Sequence, residues 1–396
     1  MSIMYLVSGM GGDRNKKWLY VFILLGLVSL TADMVYEGGR SVGGSYIESL
    51  GGSAIASAIA SSGDLIGYGL RFVSGFLASL FASSAIFWGF TILGYAITVS
   101  AIPLLSYANS WESATMLYLL ERVGKGLRSP TRDVILAEVT ENIGKGKGFG
   151  IHELMDQIGA VAGPVAVSIA LAAYGYKTAF MILLIPGAIT ILFLLVAYLL
   201  YPSVKSVEIS TPKISFSGLG RRFWLYIAST TMLSLGYIHW MVLSYYLKCW
   251  GILTDPEIAL AYTLAMLTDA AVAIPIGIVY DKLKFKSLYI APLSALGTVL
   301  ILLINLHGVT KTMAYASSAL WGVTMGCFET IMRASIADIL PPEKRAMGYG
   351  VFGLVYGISW TLGAFVFAYL LQISTVMTVV YTTITQIASI LLITLL

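Results

Sequence analysis

Asp33, Asp64 and Arg122 are ionisable side chains set deep inside long apolar stretches. Counted from the start of each stretch they lie about 15, 11 and 11 residues in, and at ~1.5 Å per helical residue this puts all three near one depth. A charge near the centre of a bilayer costs at least about 2.5–3.5 kcal/mol, so such groups are kept where they face protein, water or one another. Proton exchange is the chemistry open to them. Burial disfavours a carboxylate's charge and a nearby guanidinium favours it, so a movement that separates the two switches proton affinity.

Composition agrees with a lipid setting. Hydrophobic residues make up 58% of the 396 and charged residues 11%, against about 25% charged in soluble domains; mean hydropathy is +0.85. The net charge of +4 does not point to nucleic acid, because the basic residues are split between short loops and helix positions with no basic patch and interleaved aromatics. Cys249 and Cys327 fall in different segments without metal-ligand spacing. GKGKGFG at 144–150 lacks the spacing of a phosphate loop and follows no strand pattern. No metal, cofactor or enzymatic site is expected.

Stretches long enough to span, at about 20 residues each, begin near Trp18, Ser53, Ala85, Trp111, Phe149, Thr178, Phe223, Pro256, Ser287, Thr312, Ala346 and Val376. The reading is an all-α membrane protein of about 12 helices. Putting the amino terminus in the cytoplasm places Arg14, Lys16, Lys17, Lys145, Lys147, Lys205, Lys213, Arg221, Arg222, Lys282, Lys284, Lys286, Lys344 and Arg345 inside. Arg40, Lys177, Lys248 and Lys311 fall at or near the outer side, so both termini are expected in the cytoplasm of a cell (plasma) membrane protein. The polar run between the sixth and seventh spans divides the chain into a six-helix bundle over 1–201, a cytoplasmic linker over 202–222 and a second bundle over 223–396.

With that orientation the charges fall in layers. Toward the cytoplasm of the mid-depth group lie Arg71, then Lys125, Arg128, Arg132 and Asp133, then His152, Glu153, Asp156 and Gln157. Arg122, Lys125, Ser129, Arg132 and Asp133 share a helix face through three- and four-residue spacing. Asp33, Asp64, Arg122 and Asp156 are the expected proton relay. Glu37 is expected in an outer vestibule, Arg40 at the surface and His152 at the membrane interface. In the second half the deep charges are Asp269, Glu329 and Arg333, among the large rings of Tyr237, His239, Trp240, Trp321, Phe328, Tyr356 and Trp360.

A shift of 200 residues aligns Gly126 with Gly326, Ala137 with Ala337, Glu138 with Asp338, Gly148 with Gly348, Gly150 with Gly350 and Gly163 with Gly363. Two halves in the same orientation are a parallel repeat. Arg122 and Gly126 form R-x-x-x-G on the fourth span; Gly159, Gly163 and Pro164 form G-x-x-x-G-P on the fifth; Gly277, Asp281 and Lys282 form G-x-x-x-D-K after the eighth. With these motifs the chain resembles the major facilitator superfamily of secondary transporters over nearly its whole length. Two departures stand out: Ser79 occupies the acid position of the first-half loop, and Val167 and Ser168 replace the trailing glycines of the fifth-span antiporter motif.

The resemblance implies a monomer that binds its substrate between the halves. Glu37, Arg71, Lys125, Tyr237, His239, Trp240, Glu329 and Trp360 would then line a cavity with one charged and one aromatic wall, suited to an amphiphilic organic solute. Arg128, Arg132, Asp133 and the motif residues would serve gate or packing roles. The leading expectation is proton-coupled efflux antiport of a small organic molecule, with lipid, protons and that solute as partners; the alternatives are a uniporter or symporter for uptake, and a membrane scaffold that moves nothing.

Overall fold

The computed structural model describes residues 17–81, 83–204, 219–303 and 308–396, apart from the side chains of Lys145 and Ala346. Hydrocarbon offers the backbone no hydrogen bonds, so a spanning chain must satisfy its own amides, and a helix does so locally. The first half runs through α1 (Lys17–Ser41), α2 (Gly43–Ser49), α3 (Ala54–Ser61), α4 (Gly63–Phe81), α5 (Ser84–Leu104), α6 (Trp111–Val139), α7 (Lys145–Met181) and α8 (Leu184–Leu200). The second runs through α9 (Gly220–Leu235), α10 (Trp240–Cys249), α11 (Asp255–Leu283), α12 (Ile290–Leu303), α13 (Lys311–Cys327), a π turn (Phe328–Met332), α14 (Arg333–Ile339), α15 (Pro342–Ile373) and α16 (Thr375–Thr394). Among the described residues there is no strand.

Among the described residues, seven helical runs are long and apolar enough to span. Those of 55 and 49 residues each cross twice, since one crossing takes about 20 residues. The first of them reverses at Gly175, whose φ of 77° suits glycine. Three further crossings are less apolar or interrupted: the charged α6, the broken pair α9 and α10, and α13 to α14 across its π turn. Twelve crossings result, in two bundles of six, and the crossings begin within a few residues of the expected positions. The tail with Arg14 and Lys16 and most of the expected linker lie outside the described residues.

The repeat is visible as contacts. A Cβ on Gly163 of the fifth crossing would stand 2.2 Å from the Met34 carbonyl of the first, and one on Gly363 of the eleventh 2.4 Å from the Leu235 carbonyl of the seventh. Glycine lets these backbones touch. Each half encloses its own core, around Trp88, Tyr95 and Phe180 in the first and around Trp240, Trp321 and Phe367 in the second.

The first and seventh crossings are both broken, at Val42 and at 236–239. A break frees carbonyls that must find donors in lipid. Tyr118 Oη donates to the Gly39 carbonyl at 3.0 Å, and Trp240 Nε1, from the other half, donates to that of Ser41 at 2.8 Å. At the second break Trp360 Nε1 donates to the Tyr237 carbonyl at 2.9 Å, Trp321 Nε1 to that of Ile238 at 2.8 Å, and Tyr381 Oη to that of Leu235 at 2.8 Å.

Beyond their breaks, α2 and α10 pack against each other at the end of the bundle opposite the termini. The Gly44 amide donates to Ser244 Oγ at 3.1 Å, and a Cβ on Gly44 would meet the Met241 carbonyl at 1.8 Å. Ser168 Oγ donates to the Pro256 carbonyl at 2.8 Å and Tyr176 Oη to Asp255 at 2.7 Å across the same divide. These contacts close the far end.

Candidate functional site

Below that closure a cavity of about 230 Å³ lies between the halves. It reaches toward the end carrying the termini, where Glu153 is exposed and the Asp133 side chain is 47% exposed. A smaller chamber of about 80 Å³ adjoins it, reaching Asp64, Arg122 and Trp360. Arg40, Arg71, Lys125, Glu329 and Arg333 border both.

Asp64 is the hub of the smaller chamber. Its Oδ2 accepts from Arg40 Nη2 at 2.9 Å and lies 2.9 Å from His239 Nε2, and its Oδ1 is 3.2 Å from Arg122 Nε. Arg122 Nε is also 3.2 Å from Glu121 Oε2. Three crossings of the first half and the break of the seventh therefore meet at one carboxylate. Buried charges are tolerable when each is paired and hydrogen-bonded. Arg40, expected at the surface, is buried (6% exposed); the chain continues past it as α2, so it sits deeper than the apolar run implies. His152, expected at the interface, is likewise buried at 3%.

Asp33 lines the larger cavity, apart from Asp64 and Arg122. It accepts from Tyr36 Oη at 2.7 Å. The Tyr36 ring in turn faces the basic side of α6: Lys125 Nζ is 4.1 Å from its centroid, and the guanidiniums of Arg122 and Arg128 are 5.8 and 5.7 Å away. Such cation–π contacts stabilise a cation without neutralising it. Arg128, 1% exposed, also lies 4.1 Å from the Tyr95 centroid, and its Nε has no hydrogen-bond partner. Nearer the open end Arg132 donates twice to Asp133 Oδ1, at 2.9 and 2.7 Å. Asp156 and Gln157 of α7 complete this wall, each with a buried oxygen lacking a hydrogen-bond partner.

The second half contributes Tyr262, Asp269, Glu329 and Arg333. Tyr262 Oη donates to Glu37 Oε2 across the halves at 2.5 Å, so Glu37 lies inside the cavity, where an outer vestibule was expected. Glu329 sits on the π turn, a local widening of the helix that is frequent at functional sites.

Of the expected aromatic wall, Trp360 borders the smaller chamber and His239 touches Asp64. Tyr237 and Trp240 border neither chamber. They are 1% and 0% exposed, and their rings pack on Trp321 at 5.4 Å each, within the core that supports the helix break. Gly126 faces the second crossing, where a Cβ would lie 2.9 Å from the Gly67 carbonyl; Gly159 faces the first, 2.2 Å from that of Leu30. Pro164 is buried beside Gly163. Gly277 has open space around it, and Asp281 and Lys282 are exposed, remote from the cavity. Ser79 donates to the Gly75 carbonyl at 2.7 Å.

Tyr36, Tyr262 and Glu121 were not singled out by residue type and spacing. Tyr36 had one usable signal, its place one turn after Asp33 on the same face.

A twelve-crossing helical bundle with a charged cavity between two repeated halves defines a membrane transporter, and the comparisons agree. A family model for the Major Facilitator Superfamily matches residues 41–253 and 226–396. The chain belongs to that superfamily. It is 34% identical over 381 residues to an uncharacterised protein of Mycobacterium tuberculosis, covering 93% of this chain and 91% of the relative. It is 26% identical over 377 residues to an uncharacterised MFS-type transporter of Methanocaldococcus jannaschii, covering 92% of each. Among solved structures it is similar to a POT family transporter in complex with a thioalcohol-conjugated peptide, with a TM-score of 0.75 and 15% identity over 93% of this chain and 94% of that one. The protein is a multi-pass membrane transporter and not an enzyme.

Proposed function

We propose that this transporter exchanges protons for a small organic solute by alternating access, exporting the solute from the cytoplasm as a monomer in the cell membrane. Basic loop residues support the orientation: Lys282, Lys284, Lys286, Lys344 and Arg345 stand on the side of the termini, against Lys177, Lys248 and Lys311 on the other. The cavity then faces the cytoplasm, and α2 with α10 forms the closed outer gate.

The observation that carries the reading is the state of Asp33 and Asp156. Both line the cavity, and among the described residues neither has an Arg or Lys nitrogen within 4.0 Å, although Lys125 and Arg128 stand on the same wall. Rocking the halves to close the inner end changes the spacing between these acids and the α6 cations. A carboxylate whose charged neighbours differ between two states binds protons differently in each, and that difference drives the shift between them. Solute and proton occupying one charged cavity in turn is the elementary form of exchange.

Purified protein in liposomes with an internal pH-sensitive dye tests this. Solute added on one side is expected to drive protons the opposite way, and Asp33→Asn is expected to abolish that flux while leaving the melting temperature near wild type. Solute flux indifferent to a collapsed pH gradient rules exchange out, and co-directional movement identifies a symporter.

A further inference from the structure

The charges of the two chambers do not cancel locally. In the smaller one Arg40, Arg122 and Asp64 are engaged with one another and with Glu121. That leaves Arg71, Lys125 and Arg333 against Glu329 alone. In the larger cavity Arg132 is paired with Asp133, and Glu37 is bound by Tyr262. Apart from the border it shares with the smaller chamber, Asp33, Glu153, Asp156 and Asp269 remain against Arg128. Among the described residues none of these leftover groups makes an ion pair within 4.0 Å, save the 3.9 Å approach of His152 to Asp156.

The cavity thus has a cationic pole, carried by the second, fourth and tenth crossings, and an anionic pole, carried by the first, fifth and eighth. Two independent features mark the cavity as built for a ligand. Among the described residues, the cavity-lining side chains hold buried polar atoms without hydrogen-bond partners, namely Arg40 Nε, Arg128 Nε, Asp156 Oδ1 and Gln157 Oε1. The π turn in the tenth crossing lies between the helices that carry Met325 and Arg333, both on the shared border.

We propose that the solute is dipolar: an acidic group, carboxylate or phosphate ester, enters among Arg71, Lys125 and Arg333, while a basic group on the same small molecule faces Asp33, Asp156 and Asp269. A singly charged solute satisfies one pole and leaves the other desolvated and unpaired, which low-dielectric surroundings penalise. A zwitterion answers both. This specifies the solute class within the transport reading, and rests on it.

The test uses the full chain in detergent and matched triplets on shared skeletons. Each triplet is a free amino acid or dipeptide (zwitterion), its methyl ester (cation) and its N-acetyl form (anion), with phenylalanine, leucine and alanylphenylalanine as the skeletons. Affinity is read by ligand-induced thermal stabilisation. A zwitterion is expected to bind at least about tenfold more tightly than either singly charged partner, the size of one charge-assisted hydrogen bond. Arg71→Gln should weaken the zwitterion and the N-acetyl form by about tenfold and spare the ester; Asp269→Asn should weaken the zwitterion and the ester and spare the N-acetyl form. Each variant's ligand-free melting temperature confirms that it folds. Preference for a singly charged member, or no binding by any zwitterion, overturns the proposal. Zwitterion binding without proton flux in the liposome assay leaves this inference standing and removes the exchange reading; proton-coupled flux of a lone cation does the reverse.

Discussion

Asp64 Oδ2 and His239 Nε2 stand 2.9 Å apart, a side-chain hydrogen bond that joins the two halves at a buried carboxylate. The same carboxylate holds Arg40 and Arg122. Asp64→Asn keeps the shape, removes the charge and leaves two buried guanidiniums facing each other. Losing one partner of a buried pair costs about 3–5 kcal/mol. Asp33→Asn removes a carboxylate that, among the described residues, accepts from Tyr36 alone, a change of about 1 kcal/mol. Thermal unfolding of the ligand-free protein should therefore rank Asp64→Asn well below Asp33→Asn; equal melting temperatures refute the hub.

The closed outer gate depends on Gly44, where any Cβ meets the Met241 carbonyl. Gly44→Leu should force α2 and α10 apart and bias the protein toward its outward-open form. Cys249 is exposed and Cys327 buried, so spin labels on Cys249 and on Ser49→Cys, in a Cys327→Ala background, report the gate directly. Their separation should lengthen in the Gly44→Leu protein. An unchanged distance distribution means that the gate tolerates the side chain and is not closed by backbone contact.

Much of this architecture was legible because lipid imposes it. Hydrocarbon demands about 20 mostly apolar residues for each crossing, so helix starts could be read within a few residues even where a crossing is charged or broken. The repeat was legible because close backbone approach admits few residues but glycine, so Gly163 and Gly363 had to recur. Arg40 was not. About 20 residues counted from Trp18 put Arg40 past the end of a span, whereas the chain breaks at Val42 and climbs on as α2. Ring size and the family resemblance assign Tyr237, Trp240 and Trp360 alike to a cavity wall, and of the three only Trp360 borders a chamber. That the seventh crossing breaks at 236–239 and needs indole donors for its carbonyls is visible in three dimensions only.

Those donors can be removed singly. Trp360→Phe keeps most of the ring and deletes the hydrogen bond to the Tyr237 carbonyl; Trp321→Phe does the same at Ile238. A buried acceptor left unsatisfied costs about 1–3 kcal/mol. Each variant should melt several degrees below wild type, with solute affinity falling further in Trp360→Phe because only Trp360 borders the smaller chamber. Wild-type melting in both would mean that other donors or water serve the break.

The fifth-crossing glycines can be asked whether they do more than pack. Gly163→Ala drives a methyl group to 2.2 Å from the Met34 carbonyl, and Gly363→Ala drives one to 2.4 Å from that of Leu235. Backbone cannot yield as a side-chain tip does, so each should destabilise by about 1–3 kcal/mol. Gly277→Ala meets open space and should be neutral or stabilising by up to about 1 kcal/mol, because alanine favours a helix over glycine. If Gly163 serves packing alone, transport lost in Gly163→Ala should match the loss in the repeat-equivalent Gly363→Ala at equal destabilisation. A much larger loss at Gly163, with melting no lower than in Gly363→Ala, shows that the contact between the first and fifth crossings takes part in coupling. Asp33 and Asp156 face the cavity from those same two helices, so a shift in their packing would move the proposed proton sites directly.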